Sequence, residues 1–516
     1  MKATSRRNFL ESVGGGMLVV GLGTALSTEL GLRSVLADET PRELSFGLYD
    51  ALVDLMQNNS PEALQPILIE KLARGETNVK DLIAAGALAN AETFGGEDYV
   101  GFHTAMAMLP ALQMTEMLPS DRRPLPILKV LFRNTQQIQQ YGGASKKTLR
   151  QMVAAEEATV ENRAVAIRDA CRVGDVDRAE KLFAPLANAP LDEAFNTLQP
   201  VMQDEVNVHR YVFAHRTHGL AKLLGPEHAY TILRQCVRFC VEHEEGRLKN
   251  NHPESPIRAA IPKLLDQYRL AGKQPGTRDP GDAAVEALGR TIYDGPPDRA
   301  ADAVAAALAE GISPEVVGEA ISLASNLLVL RQGPDKWRTH GDSAGVHSSD
   351  ATNAWRNMAR VAQPLHAISG LLVAAYHSSS HKAFSGEAYP TTEHRAAIKA
   401  TEPEALLVEA EDAVRHNDQG RAAAAIAIYG EGGHSPEPVY KRLLQYTISE
   451  DGRLHGEKYF QTVAEEYRTT RPAFRWRQLV GLARVTASAY GYDREDKHGS
   501  RAPGYLEACQ MLKVTA

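Results

Sequence analysis

Alanine and leucine return every three or four positions through nearly every segment of the chain, as in Ala300 to Leu308, Val316 to Leu330 and Ala422 to Ile428. That interval lines one face of a helix, whereas a half-buried strand needs strict alternation. Alternating β-branched runs are almost missing, so the chain is read as all-α. Three segments carry the chemistry of a helix start: Ser60-Pro61-Glu62, Ser313-Pro314-Glu315 and Ser435-Pro436-Glu437. In each, a hydroxyl can accept from first-turn N–H groups, proline suits the first turn, and the acid complements the positive end of the helix dipole.

A histidine opens a helical pattern at four places: Gly101-Phe102-His103, Asn207-Val208-His209, Gly345-Val346-His347 and Arg453-Leu454-His455. Successive histidines are 106, 138 and 108 residues apart, and the longest gap holds a polar insertion around Gly333 to Ala344. Ala87-Leu88-Ala89-Asn90 ahead of the first resembles Leu323-Ala324-Ser325-Asn326 ahead of the third, and Phe195 and Tyr440 precede the second and fourth at like distances. We read a large helical bundle of repeat architecture in two pseudo-symmetric halves, residues 38–271 and 283–516, joined by the polar linker Gly272 to Asp282. In such a body equivalent positions gather round a common axis. The four histidines are therefore expected to face one cavity.

At the start of the chain, Ser5-Arg6-Arg7-Asn8-Phe9-Leu10 precedes a glycine-laced, weakly apolar run from Gly14 to Leu26. This is the layout of a twin-arginine export signal, here residues 1–37, with small residues near Val35-Leu36-Ala37 for cleavage. It implies the twin-arginine export machinery as a partner and the periplasm or cell envelope as destination. Folding before export would let a metal be chosen in the cytoplasm. No later apolar run reaches about 18 residues, so the mature chain is expected to lack a membrane span.

Composition excludes more than it assigns. The net charge of -7 and pI near 6.2 offer no basic face for nucleic acid. Four cysteines are too few for a disulfide framework in 516 residues. No Gly-x-Ser-x-Gly elbow, phosphate-binding loop or covalent-haem motif occurs.

Seventeen histidines carry what chemistry the sequence shows. Imidazole is the commonest transition-metal ligand and titrates near neutrality. His103, His209, His347 and His455 are read as ligands of a transition metal, iron, copper or zinc, with haem as the other occupant. His215 and His218, three apart on one face, are candidate acid/base groups. His366 and His377, with His381, form a stripe read as cofactor-binding, and Asp350, three after His347, can orient a ring nitrogen. Cys236, Cys240 and His243 share a face, but no second cysteine pair completes a tetrahedral site, so a structural role is expected. Arg210, Arg216, Arg338 and Arg356 either hold an anionic substrate or form ion pairs.

The segment Asn207-Val208-His209-Arg210-Tyr211-Val212-Phe213-Ala214-His215, with histidine-led helices elsewhere, resembles the questin oxidase-like proteins. The resemblance implies an oxidoreductase acting on an aromatic or quinone-like substrate, with His209 and His215 in the polar part of the pocket. The twin-arginine signal departs from that family's pattern. The helix Ala306 to Leu330 also resembles one in the carboxymuconolactone decarboxylase group, whose redox Cys-x-x-Cys is missing here. Two functions follow as expectations: an exported oxidoreductase of a small organic molecule, or a non-catalytic helical repeat protein binding a partner or small ligand, its histidines scattered.

Overall fold

A computed structural model describes residues 43–97, 99–152, 162–333, 343–449, 454–490 and 502–515. The segment read as an export signal, the insertion around Arg338 and Arg453 lie outside the described residues. Within Leu44–Ala516, which packs as one unit, the described residues form helices and no strand; a lone bridge joins Arg278 and Ile312. The all-α expectation holds.

Twelve helices frame the site, and they fall into four sets of three. The first set is α1 (Val79–Phe94), α2 (Tyr99–Thr115) and α3 (Leu125–Tyr141). The second is α4 (Leu191–Met202), α5 (Val208–Leu224) and α6 (Pro226–Lys249). The third is α7 (Pro314–Arg331), α8 (Ala344–Val361) and α9 (Pro364–Ser380), and the fourth is α10 (Glu437–Ser449), α11 (His455–Thr469) and α12 (Trp476–Ala489). Within each set all three helices touch one another. The middle helices then close a cycle: α2 packs on α5, α5 on α8, α8 on α11, and α11 back on α2.

The local chemistry of the starts follows the sequence at Ser60 and Ser313, whereas the helix of the third segment begins at Glu437, after Pro436. Ser60 and Ser313 accept from the N–H groups of Ala63 and Val316, with proline in the first turn. Ser435 accepts from the N–H of Glu437 at 3.3 Å. Two middle helices are capped the same way: Asn207 accepts from Arg210 N–H and Ser343 from Val346 N–H. Such a cap satisfies an otherwise orphan donor and fixes where the helix begins.

Helices α1 and α7 sit deepest, being buried without interruption from Leu82 to Phe94 and from Val317 to Leu330. Glycine lets the middle helices approach them. A Cβ at Gly101 would enter the ring of Phe94, and one at Gly345 would press on the backbone of Val329. Both glycines stand two residues before a site histidine.

The residue after the histidine sets the rotation of three middle helices. Thr104 joins Asn90 and Asn134, tying α2 to α1 and α3 with hydrogen bonds of 2.9 Å. Ser348 meets Ser325 at 2.9 Å, and Ser325 also reaches Ser378, tying α8 to α7 and α9. Arg210 donates to the Val201 carbonyl of α4 and pairs with Glu244 of α6. Buried polar groups keep such partners because leaving one unsatisfied costs about 1–3 kcal/mol. With that flank held outward, the preceding side chain, the histidine, is turned toward the axis of the cycle.

Candidate metal centre

His103, His209, His347 and His455 meet. Ring centres are 4.8 Å apart for His103 and His209, 5.9 Å for His209 and His347, 5.4 Å for His347 and His455, and 5.4 Å for His455 and His103. They form a closed quadrilateral in the order of the helices that carry them. With metal–nitrogen bonds of about 2.0–2.1 Å, two imidazoles on one ion at the tetrahedral angle have ring centres about 5 Å apart. The spacing would accommodate ligands to a common ion. Each ring comes from the first or second turn of its helix, so four positive helix ends converge here. His103 and His455 are buried, and His209 and His347 are partly so.

The electrostatics favour a neutral ring at His209. Burial, the Lys458 ammonium and the neighbouring His347 and His243 push His209 down to about 3. A ligand imidazole must be unprotonated, so this environment has done that work in advance.

The other histidines separate by position. His377 borders the ring: burial and then His381, His347 and His209 hold it well below the usual histidine range, and it packs edge-on to Tyr211 at 5.8 Å. His366 lies eleven residues earlier on α9, about 16 Å along the helix, and does not join it. His215 is about 9 Å from His209 along α5 and sits 3.8 Å from Glu465. His218 lies further still, 3.3 Å from Asp192 and tilted against Phe195 at 4.3 Å, away from the ring. His215 thus meets the middle helix α11 below the level of the ring, and His218 meets the flanking helix α4.

A cavity of about 780 Å³ reaches His209 from outside. Phe102, Phe239, Tyr376, Glu205 and His243 line it. Phe102 meets Phe239 edge-on at 4.9 Å and stacks against His103, also at 4.9 Å, so an aromatic wall stands between the opening and the ring. Volume and lining suit a small organic molecule.

Below the ring, sequence reasoning found one charged group and missed another. Asp350 is wholly buried and accepts from Thr462 at 2.7 Å; burial pushes its carboxyl up to about 6 against the pull of Lys458. Lys458, which was missed, is lowered to about 8 by burial, opposed by Asp350 and Glu457. The signal was present: Lys458 follows His455 by three residues, as Asp350 follows His347.

Remaining candidates are structural. Cys236 and Cys240 are buried thiols raised by burial to about 12 and about 11, and Cys236 contacts the Thr217 hydroxyl at 2.9 Å. Arg210, Arg216 and Arg356 pair with Glu244, Glu465 and Glu466. Donor atoms of Glu205, His243 and Glu244 lie within 4.8 Å of one another, but Glu244 is already bound by Arg210, Arg247 and Arg258. Three guanidiniums leave that carboxylate no charge to offer a cation.

Comparison of the chain with protein-family models, with curated proteins and with solved structures gives no match.

Proposed function

We propose that the protein is an oxidoreductase in which His103, His209, His347 and His455 hold one transition metal ion and a small organic substrate enters through the cavity beside His209. The observation that carries this reading is the quadrilateral of imidazoles drawn from four helices spread over the whole chain. Scattered structural histidines, as a purely partner-binding repeat protein would carry, have no reason to converge.

Iron or copper supplies redox chemistry with imidazole ligands, whereas zinc would restrict the site to Lewis-acid chemistry. Rings 4.8–5.9 Å apart leave no flat slot for a porphyrin, so a bare ion is preferred to haem. The aromatic wall of Phe102 and Phe239 supports an aromatic or quinone-like substrate, in line with the questin oxidase-like resemblance. His377, bordering the ring, is the further imidazole best placed to move a proton; His215, His218 and His366 are reassigned to positioning and packing. The packing order repeated four times supports reading the chain as two related halves of two units each. Export in the folded state through the twin-arginine route suits a protein that takes up its metal in the cytoplasm.

The test is elemental analysis of protein purified after native export, beside a His209→Ala/His347→Ala double variant. One equivalent of metal in the wild type, lost in the variant, is expected. Metal-free wild type with an intact fold would end the proposal.

A further inference from the structure

Beneath the histidine ring the bundle buries a cation that no hydrogen-bond or ion-pair partner among the described residues contacts. Lys458 on α11 is 2 % exposed, one turn below His455. The hydrogen bonds and ion pairs among the described residues include none from it. The neighbouring Glu457 is engaged instead by Lys129 of α3. The charge of Lys458 nonetheless acts on His209 of α5 and on Asp350 of α8, so the ammonium is within electrostatic reach of two other middle helices. Asp350 and Glu457 are the carboxylates within range, but Glu457 is taken by Lys129, the Asp350 carboxyl is turned to Thr462, and burial favours its neutral form.

The floor below the ring is unevenly built. At the position three residues after each histidine stand Met106, Val212, Asp350 and Lys458, all buried. Below His103 and His209 it is apolar, and below His347 and His455 it is charged. Burying an ammonium is costly unless an anion meets it, and the positive ends of four helices point at the same place.

We infer that Lys458 forms an anion-binding site directly under the histidine ring, taking either a small inorganic anion or the carboxylate or oxyanion of a substrate. It rests on the ring described under the proposed function only in so far as a metal ion there would share the anion. The ammonium itself needs no metal.

The experiment is isothermal titration calorimetry of the full chain at pH 6 with sodium azide and with sodium benzoate. Metal-free and cobalt(II)-treated samples of the wild type, Lys458→Met and Lys458→Arg are compared. Metal-free wild type is expected to bind azide, Lys458→Met to bind it at least about tenfold more weakly, and Lys458→Arg to recover most of the affinity. Benzoate binding of similar strength identifies a substrate carboxylate as the occupant, and azide binding alone identifies a small anion. Lys458→Gln replaces the methionine variant should that one lose the helical circular dichroism of the wild type. Wild type that binds neither anion, or a Met or Gln variant that binds as tightly as wild type, overturns the inference. Cobalt uptake, measured on the same samples, is a separate readout: Lys458-dependent azide binding without cobalt uptake would sink the metal reading and leave this site standing.

Discussion

His103 and His455 stand 5.4 Å apart, ring centre to ring centre, although they begin helices near opposite ends of the chain. Between those helices a second long-range contact does the holding. Lys129 of α3 is ion-paired with Glu457 of α11, two residues past His455, and both side chains are 1 % exposed. The pair fixes the fourth set of helices against the first.

Breaking that pair is expected to cost much more than removing it. Lys129→Met leaves Glu457 as a buried carboxylate without its cation and should destabilise the protein by about 3–5 kcal/mol. Lys129→Met with Glu457→Met should recover most of the loss, because an apolar pair has no charge to desolvate. Urea denaturation of both variants checks this. Equal losses in the single and double variants would show that the charges themselves are not what matters.

Asp350 gives a pH dependence of known sign. Its folded pKa is raised from the usual 3.8 to about 6, chiefly by burial. The protonated carboxyl therefore contributes stability that is fully present below about 3.8 and lost as pH rises through about 6. Asp350→Asn keeps an acceptor for Thr462 and removes the titration. The stability of that variant relative to wild type should climb between about pH 4 and 6 and level off above. A flat difference across that range would mean that the carboxyl is not held toward its neutral form.

Close helix approach makes two glycines behave oppositely. Gly345→Ala would drive a methyl into the Val329 backbone and is expected to cost about 1–3 kcal/mol and to lower metal content, since it displaces the start of α8. Gly246→Ala, within α6 where a Cβ meets open space, should instead gain about 0.5–1 kcal/mol. Thermal denaturation of the two variants separates the cases; loss of stability in Gly246→Ala would show that helix propensity is not what sets its sign.

Much of this was legible in the sequence because it depends on local periodicity. The three and four residue interval of alanine and leucine announces helices, and the repeated histidine at a helix start announces a shared site. His103, His209, His347 and His455 all stand in that pattern, and they meet. What was not legible depends on helix azimuth and on partners far along the chain. His215 and His218 share a face of α5, but which neighbour that face meets is set by packing on α4 and α11. Lys458 and Glu457 are adjacent in sequence yet serve different places, one within electrostatic reach of His209 and Asp350 and one paired with Lys129. The stripe of His366 and His377 has the right angular spacing, but eleven residues of helix carry His366 well clear of the ring. Angular register can be read from a sequence more readily than depth.

X-ray absorption at the metal edge of protein purified after native export tests the central claim most directly. A first shell of nitrogen at about 2.0–2.1 Å, with the outer-shell scattering of four imidazoles that diminishes in each of His103→Ala, His209→Ala, His347→Ala and His455→Ala, is predicted. A shell dominated by sulfur or carboxylate oxygen, or a spectrum unchanged by all four substitutions, would place the metal elsewhere and contradict it.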